Sequence, residues 1–380
     1  MTLTPDAATT VAAVAVAPGD ARRRVLVIFG GRSSEHSISC LSAAGILRAL
    51  DPARYDVSAV GILPDGRWVR AGVDPRALDA QAGHLPEVGD TNDPVALLPE
   101  PIGVGQLEHA GVLRDLDVVF PVLHGPWGED GTIQGLLEMA GIPYVGSGVF
   151  ASAAAMDKGH MKAMLAQGGL PVGQYTVITD RDWQRDPAEC RDRVAALGFP
   201  LFIKPARAGS SVGISKVSRP EDLDAAILEA RTWDRRIIAE ASIEHAREIE
   251  CAVLVDPSGV PQASRCAEIR LHGDHEFYDF EAKYLDDGAE LIVPADLDPD
   301  VEAEVRRLAV QAFDALGCEG LARVDFFVRD DGVLVNEVNT MPGFTPISMF
   351  PRMWATSGVD YATLVDRLIE DAIRKGTGLH

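Results

Sequence analysis

Residues 322–340, ARVDFFVRDDGVLVNEVNT, leave the chain little choice of local structure. Two runs with alternating apolar positions flank Asp330-Asp331-Gly332, which reads as a three-residue hairpin turn with its glycine in the left-handed position. That register pairs Arg329 with Val333, and so sets Asp325 opposite Glu337 and Arg323 opposite Asn339. Side chains alternate faces along a strand. Arg323, Asp325, Glu337 and Asn339 therefore share one side of the ribbon, while Val324, Phe326, Val328 and Val338 take the other. The apolar face argues against a wholly solvated hairpin. On the polar face, two carboxylates and a carboxamide aimed at one spot would repel one another without a cation. Mg²⁺ suits such a hard-oxygen set, because it takes few protein ligands and keeps positions for phosphate oxygens. Arg323 beside it suits an anionic reaction centre.

A loop upstream carries complementary chemistry. In FPLFIKPARAGSSVGISKV, Lys204 ends a strand just before Gly209-Ser210-Ser211-Val212-Gly213, and another strand-like run follows. Glycines let the backbone N–H groups approach an anion, the two hydroxyls add donors and Lys204 adds charge. The spacing is neither GxxxxGK[ST] nor GxGxxG opening a helix. Alone, such a loop reads as readily as an ordinary hairpin connection. Together with the acidic ribbon it describes a Mg²⁺-nucleotide site.

The rest of the chain supplies a frame for these two features. A β-branched strand over 25–29 runs into Gly30-Gly31 and a helix over 34–50, with Ser33 or Ser34 as its cap, which begins an α/β unit. Strands at 55–63 and 117–122 and a helix at 132–140 extend it. Residues 64–111, rich in Pro, Gly, Asp and Ala and without period, read as a long surface insertion. A second region follows, with one helical pattern over 147–169 closed by Gly168-Gly169, a strand at 175–179, a helix at 183–197 and a strand at 200–203. A third holds strands at 237–240 and 248–256, a polar loop over 271–288, a helix at 299–316, the ribbon, and a helix at 361–375. Behind a disordered tail over 1–21, the motifs divide the chain into domains at 22–146, 147–239 and 240–376. The expected fold class is α/β, with α+β character in the second and third domains.

Composition bounds the partners. The 57 acidic and 35 basic side chains of the 380 residues leave a formal charge of −22, which disfavours polyanions and anionic membranes over most of the surface. No stretch reaches the ~18 apolar residues of a membrane span, and the first residues lack the basic start of a signal peptide. Five cysteines without a CxxC pair read as reduced thiols in a cytoplasmic protein. Neither nucleic acid nor membrane is expected as a partner.

The motifs resemble the D-alanine:D-alanine ligases of the ATP-grasp superfamily. The segments that carry the resemblance are GGRSSEHSIS (30–39), FPVLHGPWGEDGTIQGLLEMAGIPYVGSG (120–148), MDK (156–158), KPARAGSSVG (204–213), REIECAVL (247–254), FYDFEAKY (277–284), and RVDFFV with NEVNTMPGFTPISMFP within 323–351. They run in order over nearly the whole chain, and HGxxGEDGxxQG and NExNTxPG are the specific ones. The resemblance implies a three-domain ATP-grasp enzyme with an N-terminal Rossmann-like parallel sheet. Such an enzyme makes D-Ala-D-Ala for peptidoglycan through an acyl phosphate, as a cytoplasmic homodimer using ATP and two Mg²⁺ or Mn²⁺ ions.

Residue by residue, it implies that Glu35 binds the amino group of the first D-alanine and that His124 lies beside its carboxylate. Lys158, Lys204 and Ser211 would contact ATP phosphates, Glu248 the ribose and Glu240 the adenine amino group. Lys283 would reach the γ-phosphate from a loop held shut by a Tyr284–Ser210–Glu35 link. Arg323 and the Gly343 N–H would hold the tetrahedral oxyanion, Ser348 and Met349 the second substrate, and Asp325, Glu337 and Asn339 the metal. Ala241 stands where many members carry lysine, which leaves adenine stacking there open.

Within the family the rivals are a D-Ala-D-Lac or D-Ala-D-Ser ligase, and Tyr284 in EAKY favours the D-Ala-D-Ala form. A catalytically inactive binding paralogue is disfavoured by the intact Lys204, Lys283, Arg323, Asp325, Glu337 and Asn339. An NAD-dependent oxidoreductase would want GxGxxG after the first strand, and the glycine spacing fails.

Overall fold

The computed structural model describes residues 22–74, 78–79, 85–97, 115–209, 212–271 and 289–378. β1 (Arg23–Gly30) is the continuous apolar run of a strand covered on both faces, and it pairs in parallel with β2 (Tyr55–Ile62) and β4 (Val118–Pro121). Its alternate residues feed two cores. Val25, Val27 and Phe29 pack with the helices His36–Ala49 and Tyr361–Lys375, and Leu26 and Ile28 pack with Ile133 and Leu137 of the helix Thr132–Ala140. Gly30 turns the strand into the helix at φ +86°. A Cβ there would come 2.5 Å from the Ile62 carbonyl oxygen, so the close approach requires glycine.

Two expectations for this region are corrected. Neither Ser33 nor Ser34 caps the first helix, whose N-cap position is Glu35. The Ser33 hydroxyl accepts from the Glu35 N–H at 3.2 Å and donates to the His124 carbonyl at 2.7 Å, tying two loops together. The described part of 64–111 is also more than a surface excursion. β3 (Trp68–Ala71) pairs antiparallel with β2 to complete the order β3-β2-β1-β4, and Val88 and Val95 are buried. Val88 N–H donates to His36 Nε2 at 3.0 Å. A four-residue edge strand is too short to announce itself by periodicity.

The second sheet, of order β5-β8-β6-β7, is antiparallel throughout and comprises β5 (Tyr175–Ile178), β6 (Leu201–Pro205), β7 (Ser215–Val217) and β8 (Ile237–Ala241). The helices Pro187–Ala195 and Leu223–Trp233 bury Cys190, Val194, Leu223 and Ile227 against it. Two predicted helices each prove to be a pair. The 183–197 pattern is Asp180–Arg185 followed by Pro187–Ala195, because Pro187 cannot continue the first and Asp186 caps the second. The 147–169 pattern is Val149–Met156 followed by Lys158–Gln167, broken at Asp157, whose carboxylate accepts from Gly159 and His160 N–H.

The third sheet runs β11-β10-β9-β12-β13, from β9 (Arg247–Val255), β10 (Pro261–Leu271), β11 (Ala289–Ile292), β12 (Leu321–Arg329) and β13 (Gly332–Asn339). The helix Pro299–Leu316 covers one face, packing Leu308 and Ala312 with Val253 and Val324. The helix Met349–Thr356 covers the other, with Phe350 and Met353 in the same core as Ala252, Ala267 and the first sheet. Phe120 and Phe344 meet at 5.9 Å between ring centroids across that shared core. Among the described residues no helix is long and apolar enough to cross a membrane.

The β12–β13 ribbon corrects its predicted turn and keeps its predicted pairing. Arg329 pairs with Gly332, so the turn is Asp330-Asp331 alone, one residue shorter than expected. Phe326 accordingly pairs with Val335, and a bulge at Asn336 then shifts the register by one. Asp325 returns opposite Glu337, and Arg323 opposite Asn339. Without the bulge, Glu337 would point into the apolar core with Val335.

Candidate active site

The three sheets enclose a cavity of about 950 Å³. Its lining includes Glu35 and His124 from the first region, Lys158, Lys204 and Gly209 from the second, and Glu248, Arg323, Glu337, Asn339, Gly343, Ser348 and Met349 from the third. This is the upper end of the size of ligand sites, room for a nucleotide and small co-substrates.

One wall is a lysine cluster built on Glu240. The Glu240 carboxylate, expected at an adenine amino group, here holds two ammonium groups, Lys162 at 2.7 Å and Lys204 at 2.7 Å. Burial opposes the Glu240 charge, but the two lysines outweigh it and hold the carboxyl well below the usual range. Burial likewise opposes the Lys204 charge, and Glu240, Glu337 and Glu248 outweigh it and hold Lys204 above the usual lysine range. Lys204 is thus kept cationic beside the Glu240 carboxylate. The break at Asp157 starts a new helix at Lys158, so that ammonium and the positive helix end lie together. Lys158 Nζ donates to the Ala208 carbonyl at 2.9 Å and lies 3.7 Å from Glu337 Oε2.

The acidic ribbon face adjoins this wall, with Glu337 3.7 Å from Lys158. Arg323 makes a bidentate pair with Asp325, both bonds 2.7 Å, and lies 3.2 Å from Glu250. Asn339 Nδ2 donates to Asp325 at 3.0 Å. Burial works against the Arg323 charge, and Asp325, Glu250 and Glu337 more than offset it. Asp325 and Glu337 also line a smaller recess with Glu248 and Glu250. Among the described residues no group of three His, Cys, Asp or Glu side chains is gathered as a ready metal cage. Two carboxylates and a carboxamide still fit a hard divalent cation that completes its shell with phosphate and water.

The third wall belongs to the first region. Glu35 lies so close to two loops that a Cβ on Gly125 would come 2.8 Å from its Oε2, and one on Gly209 3.0 Å. Its carboxylate therefore lies between the first-region loop and the start of the glycine loop. His124 is buried, which lowers its pKa although Glu35 acts the other way. Its Nδ1 lies 3.1 Å from the Met341 carbonyl, which can only accept, so Nδ1 carries the proton and Nε2 accepts from Ser42 Oγ at 3.1 Å. Ser348 stands at the N-cap position of the helix Met349–Thr356 without a side-chain cap bond, and its Oγ instead accepts from Thr345 N–H at 3.1 Å.

Ser210, Ser211, Lys283 and Tyr284 lie outside the described residues, and with them two of the three members of the Tyr284–Ser210–Glu35 link. Three residues at the cavity escaped the sequence reading: Lys162, Glu129 and Glu250. Lys162 was visible in principle, one helical turn after Lys158 and so on the same face. Glu250 had a similar signal, two residues from Glu248 along one strand. Glu129 sits inside the HGPWGEDG motif.

Family models match over most of the chain: "D-ala D-ala ligase N-terminus" at residues 24–147 and "D-ala D-ala ligase C-terminus" at 164–370. Among curated proteins, the D-alanine–D-alanine ligase of Mycolicibacterium gilvum is 55% identical over 370 residues, which is 95% of this chain and 100% of that one. That of Mycobacterium tuberculosis is 54% identical over 371 residues, 95% and 98% of the two chains. Among solved structures, the D-alanine-D-alanine ligase from Coxiella burnetii superposes with a TM-score of 0.77 at 35% identity, covering 93% of this chain and 94% of that one. The VanG D-Ala:D-Ser ligase from Enterococcus faecalis gives 0.77 at 34%, covering 93% and 100%.

Proposed function

The chain belongs to the D-alanine–D-alanine ligase family and joins D-alanine to D-alanine at the expense of ATP, and we propose that it does so through an acyl phosphate made and consumed in the 950 Å³ cavity. What carries this reading is the convergence of Lys158, Lys162 and Lys204 of the second region with Arg323 of the third on a space that also touches Glu35 and His124 of the first.

In this reading Glu35 takes the ammonium of the first D-alanine, and neutral His124 lies beside its carboxylate. That carboxylate attacks the γ-phosphorus, the β–γ bond breaks and ADP leaves. Lys158 and Lys204 hold the phosphates, with Glu240 keeping Lys204 in place, and Glu248 takes the ribose hydroxyls. The Gly209 loop and Lys283 close over the chain of phosphates, which excludes water from a hydrolysable intermediate. The amine of the second D-alanine, its carboxylate held at Ser348 and Met349, then attacks the acyl carbon. Arg323 and the Gly343 N–H stabilise the tetrahedral oxyanion, and phosphate leaves. Mg²⁺ or Mn²⁺ held by Asp325, Glu337 and Asn339 would neutralise phosphate charge while the lysines orient it. A cytoplasmic homodimer is part of the same proposal, and sedimentation at the mass of one chain would remove the dimer.

Phosphate release and product analysis with D-alanine alone, with added D-lactate and with added D-serine test the second substrate. D-Ala-D-Ala as the main product in all three is expected. A preference for D-lactate or D-serine at neutral pH would overturn it.

A further inference from the structure

Glu129 is half-buried at the cavity, between β4 and the helix Thr132–Ala140, and the reaction steps give it no task. Its two oxygens accept from two different loops. Oε1 takes the Gly125 N–H at 2.7 Å, and Oε2 takes the Met341 N–H at 3.3 Å, just beyond the end of β13. The carbonyl of the same Met341 takes His124 Nδ1–H at 3.1 Å. Residue 341 is therefore gripped at its N–H by Glu129 and at its carbonyl by His124, both from the first region. Two residues before it stands Asn339 and two after it Gly343, so the grip sets how the oxyanion segment faces the first-substrate pocket.

The location is costly for a carboxyl. Burial first, and the neighbouring Glu35 second, push Glu129 up to about 8, while the two N–H bonds and Arg323 act in the opposite direction. A core position that needed only volume would be filled more stably by an apolar side chain. We propose that Glu129 is a positioning residue that clamps the Met341–Gly343 segment to the first-substrate pocket, so that the acyl phosphate formed at one is presented to the amine held at the other. This rests on the ligase reading and adds to it a determinant of coupling between the two half-reactions.

The test is the ratio of phosphate released to dipeptide formed, measured on the full chain with ATP, Mg²⁺ and D-alanine. In Glu129→Gln one oxygen remains, and the amide NH₂ faces the second N–H, so one of the two loops is released. Glu129→Asp keeps the carboxyl group but is a methylene too short to span both donors. With the amine misplaced, water attacks the acyl carbon instead, phosphate leaves and D-alanine is regenerated. The expected result for both variants is a ratio above one, with a dipeptide kcat lower by about 10- to 100-fold and an ATP KM within about two-fold of the parent. A ratio of one in whichever variant folds, at any kcat, overturns the proposal, because a merely structural residue lowers the active fraction without uncoupling the steps. A parent protein that releases no phosphate with D-alanine would instead defeat the ligase reading itself.

Discussion

Lys204 Nζ lies 2.7 Å from Glu240 Oε2, and Lys162 Nζ occupies the other oxygen at the same distance, so one buried carboxylate fixes two cations of the phosphate wall. Removing it leaves two ammonium groups buried without their partner. Glu240→Ala is expected to destabilise the protein by about 3 kcal/mol, and by up to about 5, in urea unfolding. It should also raise the KM for ATP, since both lysines lose their fixed positions. A variant with parental stability and KM would show that the cluster is dispensable.

The same cluster sets a pH dependence. Lys162 and Lys204 hold the Glu240 pKa below its ordinary value of 4.5, so its contribution to stability is present above 4.5 and is lost as pH falls towards the lowered folded value. Lys204 is held above 10.5, so its contribution is present below 10.5 and is lost as pH rises past its folded value. Glu240→Gln removes the acid-side term, and its melting temperature should fall less steeply below pH 4.5 than the parent's. Parallel acid limbs in thermal scans would contradict the assignment.

Arg323 serves two carboxylates with geometry that lysine cannot reproduce, because only a guanidinium makes the paired bonds to Asp325 while lying 3.2 Å from Glu250. Arg323→Lys is therefore expected to lower kcat by about 10²- to 10³-fold, the loss typical of one oxyanion donor. The KM for ATP should stay close to the parent value. Steady-state kinetics with an enzyme-coupled ADP assay separate the two parameters.

Asp157 decides where Lys158 stands. Its carboxylate caps the helix Lys158–Gln167 through Gly159 and His160 N–H, both at 3.1 Å, and pairs with Arg236 at 3.0 Å. Asp157→Ala should cost about 1 to 2 kcal/mol of stability and raise the KM for ATP, while Asp157→Asn, which still caps, should retain most of both. Denaturant unfolding and ATP titration of the two variants check the order.

Much of this was legible from residues alone, for identifiable reasons. β1 and the helices Thr132–Ala140, Pro299–Leu316 and Tyr361–Lys375 carry strong periods and clear ends, and the last three match their predicted bounds. The helix breaks at Asp157 and Asp186 were missed because apolar spacing continues across them, although Asp before Pro187 is a cap signal in plain view. β10 was missed because its alternation is confined to Ala267–Leu271, while a bulge between Ala263 and Cys266 breaks the pattern before it. The polar face of the ribbon was read correctly from a wrong turn. The hairpin closes one residue early and the bulge at Asn336 gives the residue back, so two departures cancel at Glu337. The Glu240 cluster was not legible, because its three members come from a helix and two strands far apart in sequence.

That bulge also frames the test of the metal site. The extra residue, Asn336, turns its carbonyl to Lys162 Nζ at 2.9 Å, while Glu337 comes level with Asp325 on the cavity side. Lys158 lies 3.7 Å from Glu337, so the carboxylate balances a lysine as well as serving as a candidate ligand. The two roles separate in titration. If Glu337 holds the ion, Glu337→Ala abolishes turnover at ordinary Mg²⁺, and any residual activity needs far more of it. If Glu337 only balances Lys158, the variant keeps the parental Mg²⁺ dependence and changes the KM for ATP alone. Activity measured across a Mg²⁺ series after chelator treatment distinguishes them, and retained turnover with an unshifted Mg²⁺ midpoint would remove Glu337 from the ligand set.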